Sequence, residues 1–168
     1  MAWSESEAWL TGEAHQKLYQ ALLDDATAAP ARNAKRRKII RPTDMPWEMS
    51  RQGLLKHLMN ESMGTRIETV DAYMQIIPPG SRSGKHRHLA EECLYVLEGR
   101  GYDLHQDCDV EVKDRYEWIV SDEVKRFEWE AGDMIYVPPN TVHQHFNASS
   151  EKPARALVLK TKPMYMFM

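Results

Sequence analysis

The stretch that decides the fold is residues 80–99, which read GSRSGKHRHLAEECLYVLEG. His86 and His88 stand two residues apart, and on an extended backbone such side chains project to the same side, because strand side chains alternate with a period of two. One cation can therefore bind both imidazoles. Glu92 leads a run at 93–97 that is apolar and aromatic enough to form a buried strand. A carboxylate at the edge of a core needs a partner, since burying an unpaired charge is costly, and a metal ion is one such partner.

A second stretch, residues 132–147, repeats this chemistry and reads GDMIYVPPNTVHQHFN. A strand ends there at a proline turn, and His143 and His145 open the next strand on a common face. Chelation requires ligands from separate elements that converge on one point. Two neighbouring strands of a barrel can supply them.

The chain from residue 53 onward has the pattern of short strands separated by proline and glycine turns. The predicted strands are 54–59, 69–77, 92–97, 101–106, 116–120, 125–129, 134–137, 143–147 and 154–160. Closely spaced strands without helices between them favour an antiparallel barrel or a double-sheet jelly roll, so the predicted fold class is all-β.

The N-terminal part, residues 1–52, is predicted to be a helix and an arm that precede a barrel at 53–168. Ser4 and Glu7 form a capping-box pattern, and apolar residues follow at helical spacing, which predicts an amphipathic helix over about 5–25 that packs on the barrel or on a partner subunit. Residues 24–33, with Pro30, are interpreted as a linker that ends this helix.

The remainder of this arm carries the chain's basic run. Lys35-Arg36-Arg37-Lys38 is interpreted as a solvated face leading into a strand at 39–40, rather than as a phosphate or nucleic-acid patch. Residues 41–52 are predicted to be an ordered irregular arm.

Composition limits the classes of partner. The chain has 168 residues, enough for one domain with a real core, and a formal net charge of -3, which gives no general attraction for nucleic acid or anionic membranes. No apolar run approaches the roughly 20 residues of a membrane helix, and the N-terminus lacks the pattern of a signal peptide, so a cytoplasmic protein is predicted. Cys93 and Cys108 are expected to be free thiols.

The two histidine stretches resemble the cupin family. Its first motif is G, five residues, H-x-H, three or four residues, E, six residues, G, and Gly80, His86, His88, Glu92 and Gly99 satisfy it. Its second motif is G, five residues, P-x-G, two residues, H, three residues, N. The residues that match this second motif are Gly132, Pro138, His143 and Asn147, with Asn140 in place of glycine. Asparagine tolerates the left-handed conformation that such a turn requires.

The resemblance implies a single jelly-roll barrel that holds one divalent metal by His86, His88, Glu92 and His143. The alternative is a barrel that has lost its metal, in which these histidines are satisfied polar residues. Alternation also separates Glu92 from Glu91, because it sends Glu91 to the other face. Three imidazoles and a carboxylate suit iron(II), our first choice, and also manganese, nickel, zinc or copper.

Within the cupins, the stretch 143–147 and the pairing of an arm with a barrel look similar to ring-cleaving dioxygenases of the gentisate type. The hypothesis is an iron(II) dioxygenase, an oxidoreductase acting on a hydroxylated aromatic or enolisable small molecule with dioxygen. The alternatives are a non-oxidative cupin enzyme (isomerase, lyase or decarboxylase) and a non-catalytic small-molecule-binding cupin. No nucleic-acid or membrane partner is expected, and a homodimer is the expected assembly, because edge strands of jelly rolls are often covered by a second subunit.

Three further residues are candidates near the metal. His145 is the predicted catalytic residue, as a hydrogen-bond donor or acid/base toward the substrate; the alternative is a histidine bonded to backbone or to a neighbouring carboxylate. Tyr73 and Gln75 are predicted to line the substrate pocket.

The connection at 100–131 contains acidic residues and a histidine at alternate positions: Asp103, His105, Asp107 and Asp109. We interpret this pattern as a solvated strand face or loop in preference to a second metal site. Trp118 and Trp129 are interpreted as sheet packing or as part of a subunit contact.

Overall fold

The computed structural model describes residues 17–65, 67 and 69–162. Within them the chain forms a helix, α1 (Leu18–Ala34), and a series of strands. The strands are β1 (Trp47–Ser50), β2 (Gly53–Met59), β3 (Val70–Ile77), β4 (Glu92–Glu98), β5 (Arg100–Gln106), β6 (Cys108–Val112), β7 (Tyr116–Val120), β8 (Lys125–Glu130), β9 (Met134–Val137), β10 (Val142–Asn147) and β11 (Ala154–Thr161).

Two sheets of antiparallel strands enclose the interior. A six-stranded sheet has the order β1-β2-β3-β11-β4-β9, and a three-stranded sheet has the order β10-β5-β8. Strands β6 and β7 form a separate two-stranded ribbon. This mostly β architecture confirms the predicted fold class, with a helix in the N-terminal part of the chain.

The inward face of each sheet follows from the alternation of side chains. Glu92, Leu94 and Val96 alternate as buried residues along β4, and His143, His145 and Asn147 do so along β10. Leu94 packs in one apolar cluster and Val96 in a second. The inward face of β4 is therefore apolar after Glu92, whereas the inward face of β10 is polar along its length.

The helix α1 corrects the predicted N-terminal boundaries. It runs through Pro30, which we expected to end the helix within a linker at 24–33. Proline in a helix interior costs about 3 kcal/mol, but the surrounding segment is rich in alanine, the strongest helix former. The predicted capping box at Ser4 and Glu7 lies outside the described residues. The predicted packing of the helix stays a prediction.

Three short segments also differ from the prediction. Residues 39–40 form no strand, whereas β1 and β6 are strands that the pattern did not reveal. Strand β1 pairs with β2 from Trp47↔Lys56 to Ser50↔Gly53, so backbone pairing makes a strand of a segment without clear alternation. The sheet thus begins before residue 53, while the boundary between an arm at 1–52 and a barrel at 53–168 stays a prediction.

The turn before β10 depends on Asn140. Its φ of 61° lies in the left-handed region, where few residues other than glycine and asparagine are found. Asparagine therefore adopts the backbone conformation for which the motif has glycine at this position. Strand β10 then starts in register at Val142.

Among the described residues, no helix combines the length and the apolar character needed to cross a membrane.

Candidate metal centre

Backbone pairing brings the two histidine stretches together. His86 and His143 form an antiparallel bridge, in which the His86 N–H donates to the His143 carbonyl oxygen at 3.1 Å and the His143 N–H donates back at 2.9 Å. A second bridge joins Arg82 to Phe146, so the segment before β4 runs along the edge of β10. The imidazoles of His86 and His143 consequently lie side by side, with ring centroids 4.2 Å apart.

The three histidine rings are held by their Nδ1 atoms. Nδ1 of His86 lies 2.9 Å from the Gly84 carbonyl oxygen, that of His88 2.8 Å from Ala90, and that of His143 2.9 Å from Thr141. A carbonyl oxygen only accepts, so each Nδ1 carries the proton and each Nε2 carries a lone pair. All three Nε2 atoms are buried and have no hydrogen-bond partner among the described residues.

The fourth member of the cluster is Glu92. Its carboxylate is 1% exposed, and one ligand atom from each of His86, His88, Glu92 and His143 lies within 4.8 Å of all the others. His88 Nε2 is 3.3 Å from Glu92 Oε2, where a lone pair faces a carboxylate rather than donating to it. Lone pairs and a negative charge that converge in this way are the donors that a cation takes, so the residues fit a metal ion.

Glu91 stands apart from this cluster, as alternation predicts. Its side chain is exposed, and its Oε1 accepts a hydrogen bond from the Tyr136 hydroxyl group at 2.9 Å.

The charge states of the cluster suit a metal. Burial lowers the pKa of His143 to about 3 and lowers that of His86, so both imidazoles are neutral at physiological pH. Burial alone would raise the pKa of Glu92, but the neighbouring imidazole of His145 holds that pKa below its usual range. Neutral imidazoles and an ionised carboxylate are the forms that bind metal ions.

His145 points into the same interior but has different partners. It is 2% exposed, its Nδ1 lies 2.8 Å from Asp103 Oδ2, and its Nε2 lies 3.6 Å from Glu92 Oε1. Burial lowers the pKa of His145, but the charge and hydrogen bond of Asp103, helped by Glu92, raise it to about 9. Both ring nitrogens face carboxylates, which fits the interpretation of a histidine bonded to a neighbouring carboxylate; the predicted catalytic role stays a prediction.

Asp103 and His105 correct the interpretation of their strand as a solvated face. Asp103 is 0% exposed and His105 4%. The Trp129 indole Nε1–H donates to Asp103 Oδ1 at 2.8 Å, and His105 Nε2 lies 3.4 Å from Oδ2. The period of two along the strand could have shown this, because Asp103 and His105 lie on the same face as Gly101 in a strand that pairs with β10. The rest of the pattern is partly or fully exposed, and Asp107 binds Lys125 at 2.8 Å.

The predicted lining residues Tyr73 and Gln75 both lie inside the barrel. The Tyr73 hydroxyl group donates to Glu92 Oε2 at 3.2 Å, and burial followed by the charge of Glu92 raises the pKa of Tyr73. Gln75 Nε2 donates to the Gln52 carbonyl oxygen at 2.9 Å. Tyr73 therefore adjoins the cluster, whereas Gln75 fixes the turn between β1 and β2.

A cavity of about 610 Å³ opens beside Tyr73. Its lining includes Leu55, Tyr73, Lys160 and Lys162, and none of the four cluster residues. Tyr73 connects the two, because the same side chain lines the cavity and binds Glu92.

Sequence comparison matches the Cupin domain family to residues 73–160. Auxin-binding protein T85 of Nicotiana tabacum is 26% identical over 122 residues, which cover 72% of this chain and 62% of that protein. The chain spans less than two thirds of the length of the curated relatives it matches.

Solved structures share the fold. A predicted oxalate decarboxylase from Thermotoga maritima has a TM-score of 0.52 and 20% identity, covering 73% of this chain and 97% of that one. The polyketide cyclase RemF from Streptomyces resistomycificus has a TM-score of 0.53 and 21% identity, covering 74% of this chain and 79% of that one. At these identities the likeness extends to the fold and not to the reaction.

Proposed function

The chain belongs to the Cupin domain family, and from that premise we propose that it is a metal-dependent oxidoreductase, an iron(II) dioxygenase that acts on a hydroxylated aromatic or enolisable small molecule. The metal ligands in this proposal are His86, His88, Glu92 and His143. His145 keeps its predicted catalytic role in this proposal, and through its contact with Glu92 it also positions that carboxylate.

The observation that carries the proposal is the set of three unpaired Nε2 atoms around a buried carboxylate. Buried polar atoms nearly always have a hydrogen-bond partner. Three lone pairs that converge on one point and have no such partner therefore indicate a group that they bind. Borderline nitrogen donors with one hard oxygen suit iron(II), and also manganese, nickel, zinc or copper.

A bound metal would supply a Lewis acid for adjacent substrate oxygens and, as iron(II), redox chemistry with dioxygen. The chain's own residues prepare that site. The backbone carbonyl oxygens of Gly84, Ala90 and Thr141 fix the tautomer and direction of the three imidazoles. Tyr73 and His145 contact Glu92 from two sides, through Oε2 and Oε1 respectively, and so restrict the rotation of its carboxylate.

A second candidate is a non-oxidative cupin enzyme such as a decarboxylase, lyase or isomerase. The names of two neighbours in fold, a predicted oxalate decarboxylase and a polyketide cyclase, are the reason to test it, because both describe reactions other than oxygenation. A binding protein without turnover is the third, favoured by the auxin-binding relative. All three candidates use the same four residues.

Oxygen consumption tests the first candidate. Protein reconstituted anaerobically with iron(II) is transferred to an oxygen electrode with catechols, gentisate, salicylates and diketones, and His143→Ala serves as the matched control. We expect uptake with at least one compound for the wild type and none for the variant. A fully iron-loaded protein that consumes no oxygen with the whole panel would refute the dioxygenase; carbon dioxide release or isomerisation under nitrogen would then support the second candidate.

We also propose that the enzyme is a cytoplasmic homodimer without nucleic-acid or membrane partners. Strand β1 lies at the end of its sheet and carries Trp47 and Met49, which are 53% and 77% exposed. Sedimentation equilibrium tests the assembly, with Met49→Lys as the variant expected to weaken it.

A further inference from the structure

Lys160 lies on the inward face of β11. It lies two residues from Val158, which is fully buried, so both side chains are on the same face of the strand. The register partners of Lys160 are Asp71 on β3 and Glu92 on β4. Directly opposed residues on neighbouring strands place their Cβ atoms about 5 Å apart on one face. The Lys160 side chain therefore starts beside the carboxylate of the metal cluster and extends into the cavity at Tyr73.

The two lysines of this cavity differ in their partners. Lys162 Nζ lies 3.3 Å from Asp71 Oδ1 and 3.5 Å from Glu61 Oε2. In the described part of the chain, Lys160 has no ion pair and no hydrogen bond, although it is partly buried.

The remainder of the cavity suits a small, partly polar molecule. Leu55 and the ring of Tyr73 supply buried apolar surface, and Asn60 and Ser62 supply groups that hydrogen-bond. Its volume of about 610 Å³ falls in the range of small-molecule sites. Lys162 is already paired with Asp71 and Glu61, which leaves Lys160 to supply one positive charge, so a monoanion fits better than a phosphate dianion.

We propose that this cavity binds a small molecule through a carboxylate group, and that Lys160 is the residue that selects for it. The carboxylate pairs with the Lys160 ammonium group, and the apolar part of the molecule lies on Leu55 and Tyr73. This inference rests on the proposed function only in treating the cavity as the approach to the cluster, since binding itself requires no turnover.

Calorimetry of ligand binding tests the proposal on the full chain loaded with zinc, which fills the cluster without oxygen chemistry. The probes are benzoate and 2,5-dihydroxybenzoate, each against its neutral amide. For the wild type we expect each acid to bind at least about ten times more tightly than its amide, a difference of about 1.4 kcal/mol. Equal affinities for acid and amide would overturn the proposal.

Three variants locate the selectivity. Lys160→Met should weaken acid binding about ten-fold and leave amide binding unchanged, Lys160→Arg should keep the preference for the acid, and exposed Lys152→Met is the matched control. Zinc content and melting temperature are measured for each. If Lys160→Met does not fold, Lys160→Gln takes its place. A folded, zinc-loaded Lys160→Met or Lys160→Gln protein that retains the preference for the acid would refute the role of Lys160.

The outcome is separable from that of the proposed function. A carboxylate preference that depends on Lys160, in a protein that consumes no oxygen, supports this inference and refutes the dioxygenase. Oxygen consumption with neutral and acidic substrates alike, unaffected by Lys160→Met, supports the dioxygenase and refutes this inference.

Discussion

Two groups of buried polar side chains lie next to each other in this barrel, and they solve the problem of burial in opposite ways. Around Asp103, each polar group finds a partner within the protein: His145, Trp129 and His105 all approach its carboxylate. Around His143, three Nε2 atoms converge near a carboxylate, and none of the three has a hydrogen-bond partner among the described residues. The first group is complete by itself, whereas the second has the donors to hold a cation. Because both groups use histidine and carboxylate, only the hydrogen-bond partners of each ring separate a structural cluster from a metal centre.

The largest effect is expected from removing one imidazole of the cluster. His143→Ala should lower the affinity for a divalent ion by more than about 100-fold, because it removes one of the four converging ligands, and even a partner that only orients a ligand is worth about 10–100-fold. Competition with a chelator, for protein loaded with each candidate metal, measures this affinity. His57→Ala is the matched control, since His57 lies outside the cluster and binds Glu48 at 2.6 Å. An alanine variant at 143 with the wild-type affinity for metal would place the ligands elsewhere.

A loss of stability, rather than of metal, is expected when the complete group is broken. Asp103→Ala leaves His145 and the Trp129 indole without their acceptor, and removing one partner of a buried ion pair costs about 3–5 kcal/mol. Urea unfolding of the metal-free protein measures this free energy. Asp109→Ala on the exposed ribbon should change it by less than about 0.5 kcal/mol. An equal loss in both variants would mean that Asp103 is not the centre of a buried network.

The dependence of stability on pH should distinguish the two groups in metal-free protein. The pKa of His143 in the folded state is about 3, below the unfolded value near 6.5. The contribution of His143 to stability is therefore complete above about pH 6.5 and is lost as the pH falls toward 3. The pKa of His145 is raised to about 9, so its contribution is full below about pH 6.5 and is lost as pH rises through 9.

Thermal unfolding in the presence of a chelator, measured across this pH range, checks the loss of stability on the acid side (the acid limb) and on the alkaline side (the alkaline limb). His143→Ala should flatten the acid limb only, and Asp103→Asn should flatten the alkaline limb, because the asparagine carries no charge to hold the proton on His145. Identical profiles for the two variants would show that the groups titrate as one unit.

The smallest effect is expected at the contact between the cluster and the cavity. Tyr73→Phe removes the hydroxyl group that binds Glu92, a loss of about 1 kcal/mol, so the affinity for metal should fall by several-fold without loss of stoichiometry. Competition with a chelator measures the affinity. Tyr95→Phe is the control, because Tyr95 lies on the outer face of the same sheet and is 40% exposed. An unchanged affinity would mean that Glu92 is oriented without help from Tyr73.

The part of the site that could be predicted from sequence follows from strand parity and motif spacing. These place His86 beside His88 and choose Glu92 over Glu91, and the structure has both features. They also allow Asn140 at a glycine position, where its φ is 61°. Composition misleads where burial depends on the neighbouring strand: the polar residues Asp103 and His105 were interpreted as part of a solvated face, yet the pairing of β5 with β10 turns them into the interior.

The sequence by itself determined the class of fold and most of the strand pattern, because alternation is a local property of the chain, and the resemblance of its two motifs to the cupins named the four candidate ligands. Tertiary structure alone supplied the different partners of His143 and His145, which have the same parity and lie two residues apart. Their positions along β10 bring His143 to the lone pairs of two other rings and His145 to Asp103. It likewise paired Lys162 with Asp71 and Glu61, while Lys160 has no ion pair within the described ranges 17–65, 67 and 69–162. The physical reason is that a buried polar group takes its role from the partners that packing brings within hydrogen-bond distance, and these partners come from distant parts of the chain.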